Sequence, residues 1–153
     1  MRAVFKLLFA PLFVAAAFAA EQPVAPKIVA IHAQLFHENS GKFSDDLLRD
    51  DAPGLWNTII GENASNFTLV TVEVEGKDVP QGVRVEVVAR GDKRKVRGKA
   101  VREVSIYDAK TRFFAPLWLS DTGCEELEIS ARLIGKGVAT TVVKKTVPFK
   151  CGE

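Results

Sequence analysis

Strict two-residue alternation near the C-terminus is the feature that most constrains the fold. Within residues 124–153, Leu127, Ile129, Ala131 and Leu133 fall on one side of an extended chain, and Glu126, Glu128, Ser130 and Arg132 on the other. That period suits a half-buried strand and no helix. Gly135-Lys136-Gly137 breaks the run, and Val147, Phe149 and Cys151 follow in phase, so the stretch is expected to form a hairpin. The two cysteines, Cys124 and Cys151, stand near its open end. In an exported chain one such pair is most simply a disulfide, because the compartments beyond the inner membrane are oxidising. On the chain-entropy model a loop of that length disfavours the unfolded state by roughly 3 to 4 kcal/mol. A redox or metal pair would need close spacing or further ligands nearby, and the sequence has neither.

Export is read from the other end. Arg2 and Lys6 precede an apolar run from Leu7 to Phe18, and Ala17-Phe18-Ala19 offers the small residues of a signal-peptidase site. Residues 1–19 are therefore expected to be a signal peptide and residues 20–153 a single β-sandwich domain. The apolar run falls short of the ~20 residues a membrane span needs and contains Pro11. No later stretch is apolar for long enough to cross a bilayer, so no transmembrane segment is expected in the mature chain. The leader carries two of the 21 basic residues and none of the 19 acidic ones, which leaves the remainder formally neutral. Neutrality disfavours a whole-surface polyanion binder, since long-range steering needs net charge or a strong patch.

Val29, Ile31, Ala33 and Leu35 form the apolar face of a strand over 27–36, with Ile28, Ala30, His32 and Gln34 on the other. His37 lies an odd number of residues beyond His32, so in a continuous strand the two imidazoles point to opposite sides and form no metal pair. The acidic segment 38–51 sets Glu38, Asp45, Asp46, Asp50 and Asp51 against Lys42 and Arg49. Its carboxylates could serve a hard cation, but EF-hand spacing is absent and a solvated loop accounts for the same residues, so no metal is assigned. Ser44 is expected to cap a short helical turn through Leu48. In Leu55-Trp56-Asn57-Thr58-Ile59-Ile60 the apolar content predicts a segment folded onto the domain. Trp56 there either plugs an open end of the core or offers an aromatic contact to a partner.

The runs LWNTIIGE at 55–62, DTGC at 121–124 and FKCGE at 149–153 resemble a group of small exported proteins of Gram-negative bacteria. That resemblance implies a periplasmic setting and supplies no mechanism.

Between these ends lies a series of strands. Thr68, Val70, Val72 and Val74, then Val83, Val85, Val87 and Ala89, read as sequential antiparallel strands joined by a short loop. Lys93, Arg94, Lys95, Arg97 and Lys99 make the one strong charge cluster. It is a candidate contact for an anionic envelope polymer or an acidic protein surface, or else the solvated face of an edge hairpin. Nucleic acid is disfavoured, because no aromatics are interleaved for base stacking. Farther on, Phe113, Ala115, Leu117 and Leu119 alternate with Phe114 and Trp118. Two apolar faces predict a strand covered on both sides, with an irregularity at Pro116, which prefers an edge or a bulge.

Seven strand candidates, Val101 to Tyr107 among them, without a long amphipathic helix predict an all-β antiparallel sandwich of immunoglobulin-like architecture. No GxSxG elbow, HExxH or Walker A run is present. His32 and His37 are the only histidines available as a neutral-pH base. No catalytic residue and no cofactor are assigned. The expectation is an exported, periplasmic or secreted, non-enzymatic binding or adaptor module whose partner is a protein or an anionic envelope polymer. A structural cell-envelope protein is the alternative, and a carboxylate-based hydrolase the more remote one.

Overall fold

The computed structural model describes residues 25–51, 65–77, 79–106, 112–122 and 125–149. Trp56, Cys124 and Cys151, and with them the proposed plug and disulfide, lie outside the described residues, as does the expected leader.

In chain order the strands are β1 (Lys27–His37), β2 (Lys42–Phe43), β3 (Phe67–Glu75), β4 (Arg84–Arg90), β5 (Val96–Glu103), β6 (Arg112–Ser120), β7 (Leu127–Ile134) and β8 (Val142–Val147). They form two antiparallel sheets, ordered β2-β1-β3-β6 and β5-β4-β7-β8. The alternating apolar residues meet between the sheets. Val70, Val72 and Val74 of β3 and Val85, Val87 and Ala89 of β4 are fully enclosed, with Leu127, Ile129 and Val147 beside them. Each buried valine stabilises the fold by about 1.5 to 3 kcal/mol over an exposed one. The antiparallel sandwich is thus as predicted, with one strand more than the seven expected. That strand is β2, which at two residues is too short to show a period, and the strand expected over Val101 to Tyr107 lies earlier, as β5 at Val96–Glu103.

Pairing departs from expectation at β3 and β4. They are not neighbours: β3 pairs with β1 and β6, and β4 with β5 and β7. Residues 76–83 carry the chain from one sheet to the other. Alternation fixes which side of a strand is buried but not which strand lies beside it, and both strands place their valines in the shared core.

Three local expectations are corrected as well. A register shift between Ile28 and Ala30 turns Val29 outward and brings Ile28 against the core. Ser44 caps no helix; its hydroxyl accepts the Leu35 amide at 2.9 Å, and residues 47–51 form turns. The N–H groups along the edge of β1 need acceptors, and Ser44 supplies one. On β6, Ala115, Leu117 and Leu119 are buried, but Phe114 and Trp118 are each 52% exposed, so nothing among the described residues covers the second face. Pro116 sits opposite Thr71 in an unbroken register. β6 is an edge strand, where a missing donor is tolerated without a bulge.

Candidate functional site

Alternation along the first sheet that buries Leu35, Thr68, Val70 and Leu119 necessarily turns Phe36, Leu69 and Trp118 outward. The register aligns Gln34 with Leu69 and Leu69 with Trp118, and beside them Phe36 with Phe67. β2 then places Phe43 opposite Phe36. The Phe36 and Phe43 rings lie 5.2 Å apart between centroids, and each is 5.9 Å from the Trp118 ring. To make these contacts the indole reaches across β3. Phe36 and Trp118 meet edge to face at 89°. These separations are those of attractive ring pairs, each worth about 0.5 to 1.5 kcal/mol beyond area burial. The cluster is a reason for so short a strand as β2 to hold its place. Phe43 is nonetheless 45% exposed.

A charged network adjoins the rings on the same face. His32 Nδ1 is 2.7 Å from Asp46 Oδ2, and Nε2 is 3.2 Å from Glu73 Oε2. Asp46 reaches this position from the segment after β2, where its Oδ1 accepts the amides of Ala33 at 3.0 Å and Leu48 at 3.1 Å. Glu73 is also paired with Arg112 of β6. Burial disfavours charge on His32, but hydrogen bonds to Asp46 and Glu73 outweigh it and raise its pKa above 6.5. For Asp46, burial is outweighed by the Ala33 amide and by His32, and for Glu73 by His32 and Arg112; both pKa values are lowered.

The shifts are those of a network that stabilises the charged imidazolium between two carboxylates, with a hydrogen bond at each ring nitrogen. The two carboxylates also lie on different sides of the ring. Among the described residues no group of three or more His, Cys, Asp or Glu is arranged to hold a metal ion.

The basic residues singled out from the sequence separate in space. Lys93 and Arg94 belong to the 3-10 turn Asp92–Arg94 between β4 and β5, and with Lys95 they are exposed. Arg97 pairs with Glu125 at 2.7 Å and donates to the Asp121 carbonyl at 2.6 Å. Lys99 pairs with Glu86 at 2.6 Å. Two of the five are thus engaged within the chain. The aromatic face was not anticipated. The alternation of β6 marks Trp118 but not whether its face is covered, and two-residue β2 gives Phe43 no period. The antiparallel arrangement was the available signal, because such sheets commonly leave one face to solvent.

No protein-family model matches the chain, and no curated protein does. Among solved structures it is similar to a Bifidobacterium dentium β-glucuronidase complexed with coumarin-3-O-glucuronide, with TM-score 0.44, 12% identity and coverage of 80% of this chain and 18% of that one. It is similar also to a β-glucuronidase of glycoside hydrolase family 2, with TM-score 0.42, 5% identity and coverage of 54% and 10%. The chain spans less than a fifth of the length of either protein, and the likeness bears on no function. No helix among the described residues is long and apolar enough to cross a membrane.

Proposed function

We propose that the protein is an exported, non-catalytic binding module that engages a protein partner through the outer face of its first sheet. The observation that carries this reading is the Phe36, Phe43 and Trp118 cluster, with Phe43 and Trp118 about half exposed. Single exposed apolar residues are ordinary, but contiguous aromatic surface is the usual mark of an interaction site. Tryptophan and phenylalanine offer large contact area at low entropic cost, and such residues dominate binding energy at interface centres. The rings are tilted to one another by 42° to 89°, which makes a ridged surface suited to interdigitating side chains rather than to one flat ring. Gln34, Thr71 and Ser120 lie on the same face and supply the polar rim that such interfaces carry.

Crosslinking from the intact cell tests this reading. A photoreactive phenylalanine analogue at position 114, on the same face of β6 as Trp118, should give a crosslinked protein species that disappears in a Phe43→Ser background. The same analogue at position 142, on the second sheet, should not give it. Crosslinking that ignores Phe43→Ser, or that is equal at both positions, would overturn the proposal. Fractionation of the same cells places the species inside or outside the inner membrane.

A further inference from the structure

We infer that the outer face of the second sheet carries a separate site for a compact oxyanion, the phosphate or carboxylate group of a small ligand. This inference stands independently of the aromatic face, which lies on the opposite side of the sandwich. A groove of about 390 Å³ is lined there by residues of β4, β7 and β8 and by Arg94 of the hairpin turn. That volume is in the range of small-molecule sites. The register explains its shape. Val88 faces Ser130, which in turn faces Lys144, and this row is flanked by Glu86 opposite Arg132 and Arg90 opposite Glu128. Long charged side chains therefore rise around a floor of Val88 and Ser130.

The charge balance selects the ligand. The lining contains the cations Arg90, Arg94, Arg132 and Lys144 but only the acids Glu86 and Glu128. Both acids are already occupied. Glu86 is bound by Arg132 at 2.7 Å and by Lys99 at 2.6 Å, and Glu128 by Lys144 at 3.2 Å. Arg90 has a neutral partner, the Ser130 hydroxyl at 3.3 Å, and among the described residues no acid pairs with Arg90 or Arg94. Among the described residues these two guanidinium groups have no acidic partner, and the guanidinium fork matches the planar, multidentate demand of a carboxylate or phosphate.

Backbone geometry adds a second observation. Lys93 and Arg94 are consecutive non-glycine residues in the left-handed region, with φ of 54° and 60°. They are the two central residues of the tight hairpin turn between β4 and β5, closed by the Lys95 amide donating to the Asp92 carbonyl at 3.1 Å. Here they set the turn from which Arg94 lines the groove.

The experiment is an amide chemical-shift titration of the purified protein with inorganic phosphate, with succinate in a parallel arm and sodium chloride as the ionic-strength control. Saturable shifts are expected at Val88, Arg90, Ser130 and Arg132. Arg90→Gln should weaken the apparent affinity about tenfold, as loss of a charge-assisted contact does. Should Arg90→Gln fail to fold, Arg94→Gln in the exposed turn must show the weakening, while Lys42→Gln on the other sheet must not. Saturation by phosphate alone assigns the site to phosphate groups, and by succinate alone to carboxylates. Shifts that never saturate in either arm, that chloride reproduces, or that persist unchanged in both arginine variants would overturn the inference.

Discussion

His32 and Asp46 are joined by a 2.7 Å hydrogen bond that fastens the segment after β2 to the outer face of β1. Asp46 reinforces this by accepting the backbone amides of Ala33 and Leu48, and Ser44 by accepting that of Leu35. The segment that presents Phe43 is thus held by a titratable clasp. Its state is set by the facing groups Asp46, Glu73 and, through Glu73, Arg112.

The sign of the pH dependence follows from the directions of the shifts. His32 is raised above 6.5, so its contribution is complete below about pH 6.5 and is lost as pH rises through the folded value. Asp46 and Glu73 are lowered from 3.8 and 4.5, so theirs is complete above about pH 4.5 and is lost as pH falls through their folded values. Stability from this network is therefore greatest in mildly acidic solution, between those limits. Thermal unfolding should show a midpoint higher at about pH 5.5 than at about pH 8. In His32→Gln that difference should shrink markedly, and an undiminished difference would assign it to other groups.

Neighbours on β6 should respond unequally to truncation. Leu119 is 2% exposed and Trp118 is 52% exposed. Leu119→Ala should cost about 2 to 5 kcal/mol in urea unfolding, the toll of a core cavity. Trp118→Ala forfeits two ring contacts but leaves no enclosed cavity, and should cost about 1 to 3 kcal/mol. A loss at Trp118 as large as that at Leu119 would mean that the indole is covered in solution.

The strands were legible from the sequence because their signal is local. The inward faces of β3, β4 and β7 follow directly from the alternation of Thr68 to Val74, Val83 to Ala89 and Leu127 to Leu133. The separation of β3 and β4 was not legible, because sheet membership is decided by partners distant in the chain. The aromatic face was half legible. Its β6 residue Trp118 lay in a clear pattern, but whether a strand's second apolar face is covered depends on what the rest of the fold brings to it. The clasp was hidden for the same reason: His32, Asp46 and Glu73 have no common spacing, and only the pairing of β1 with β3 and the folding back of the segment after β2 join them.

Gly98 marks where the two sheets close at one edge. A Cβ added there would run into the Leu119 side chain and lie 3.3 Å from Leu117 Cδ1. Both leucines belong to the core, and β5 packs against β6 at this edge. Gly98→Val should therefore destabilise by about 1 to 3 kcal/mol, as overpacking does. The unfolding midpoint in urea reads this, and Gly98→Ala should fall between, because the Leu119 tip can move. A neutral Gly98→Val would show that β5 stands farther from β6 in solution.

Glu86 links the stability of the second sheet to its proposed oxyanion site. Its Oε1 accepts from Arg132 at 2.7 Å and 2.8 Å, and its Oε2 pairs with Lys99 at 2.6 Å. The Lys99 hydrogen bond, followed against burial by that of Arg132, lowers its pKa below 4.5. The contribution is therefore present above about pH 4.5 and lost as pH falls through the folded value. Both cations are about half exposed, so solvent screening limits the cost of Glu86→Gln to about 1 kcal/mol near neutral pH. That cost should vanish once acid has protonated the carboxyl in the wild type. The same substitution releases Arg132 into the groove and removes one of its two acids. Phosphate or succinate should then bind about threefold to tenfold more tightly than to the wild type, an ion-pair effect that salt weakens. Weaker binding by Glu86→Gln would mean that the carboxylate orients Arg132 for the ligand rather than competing with it.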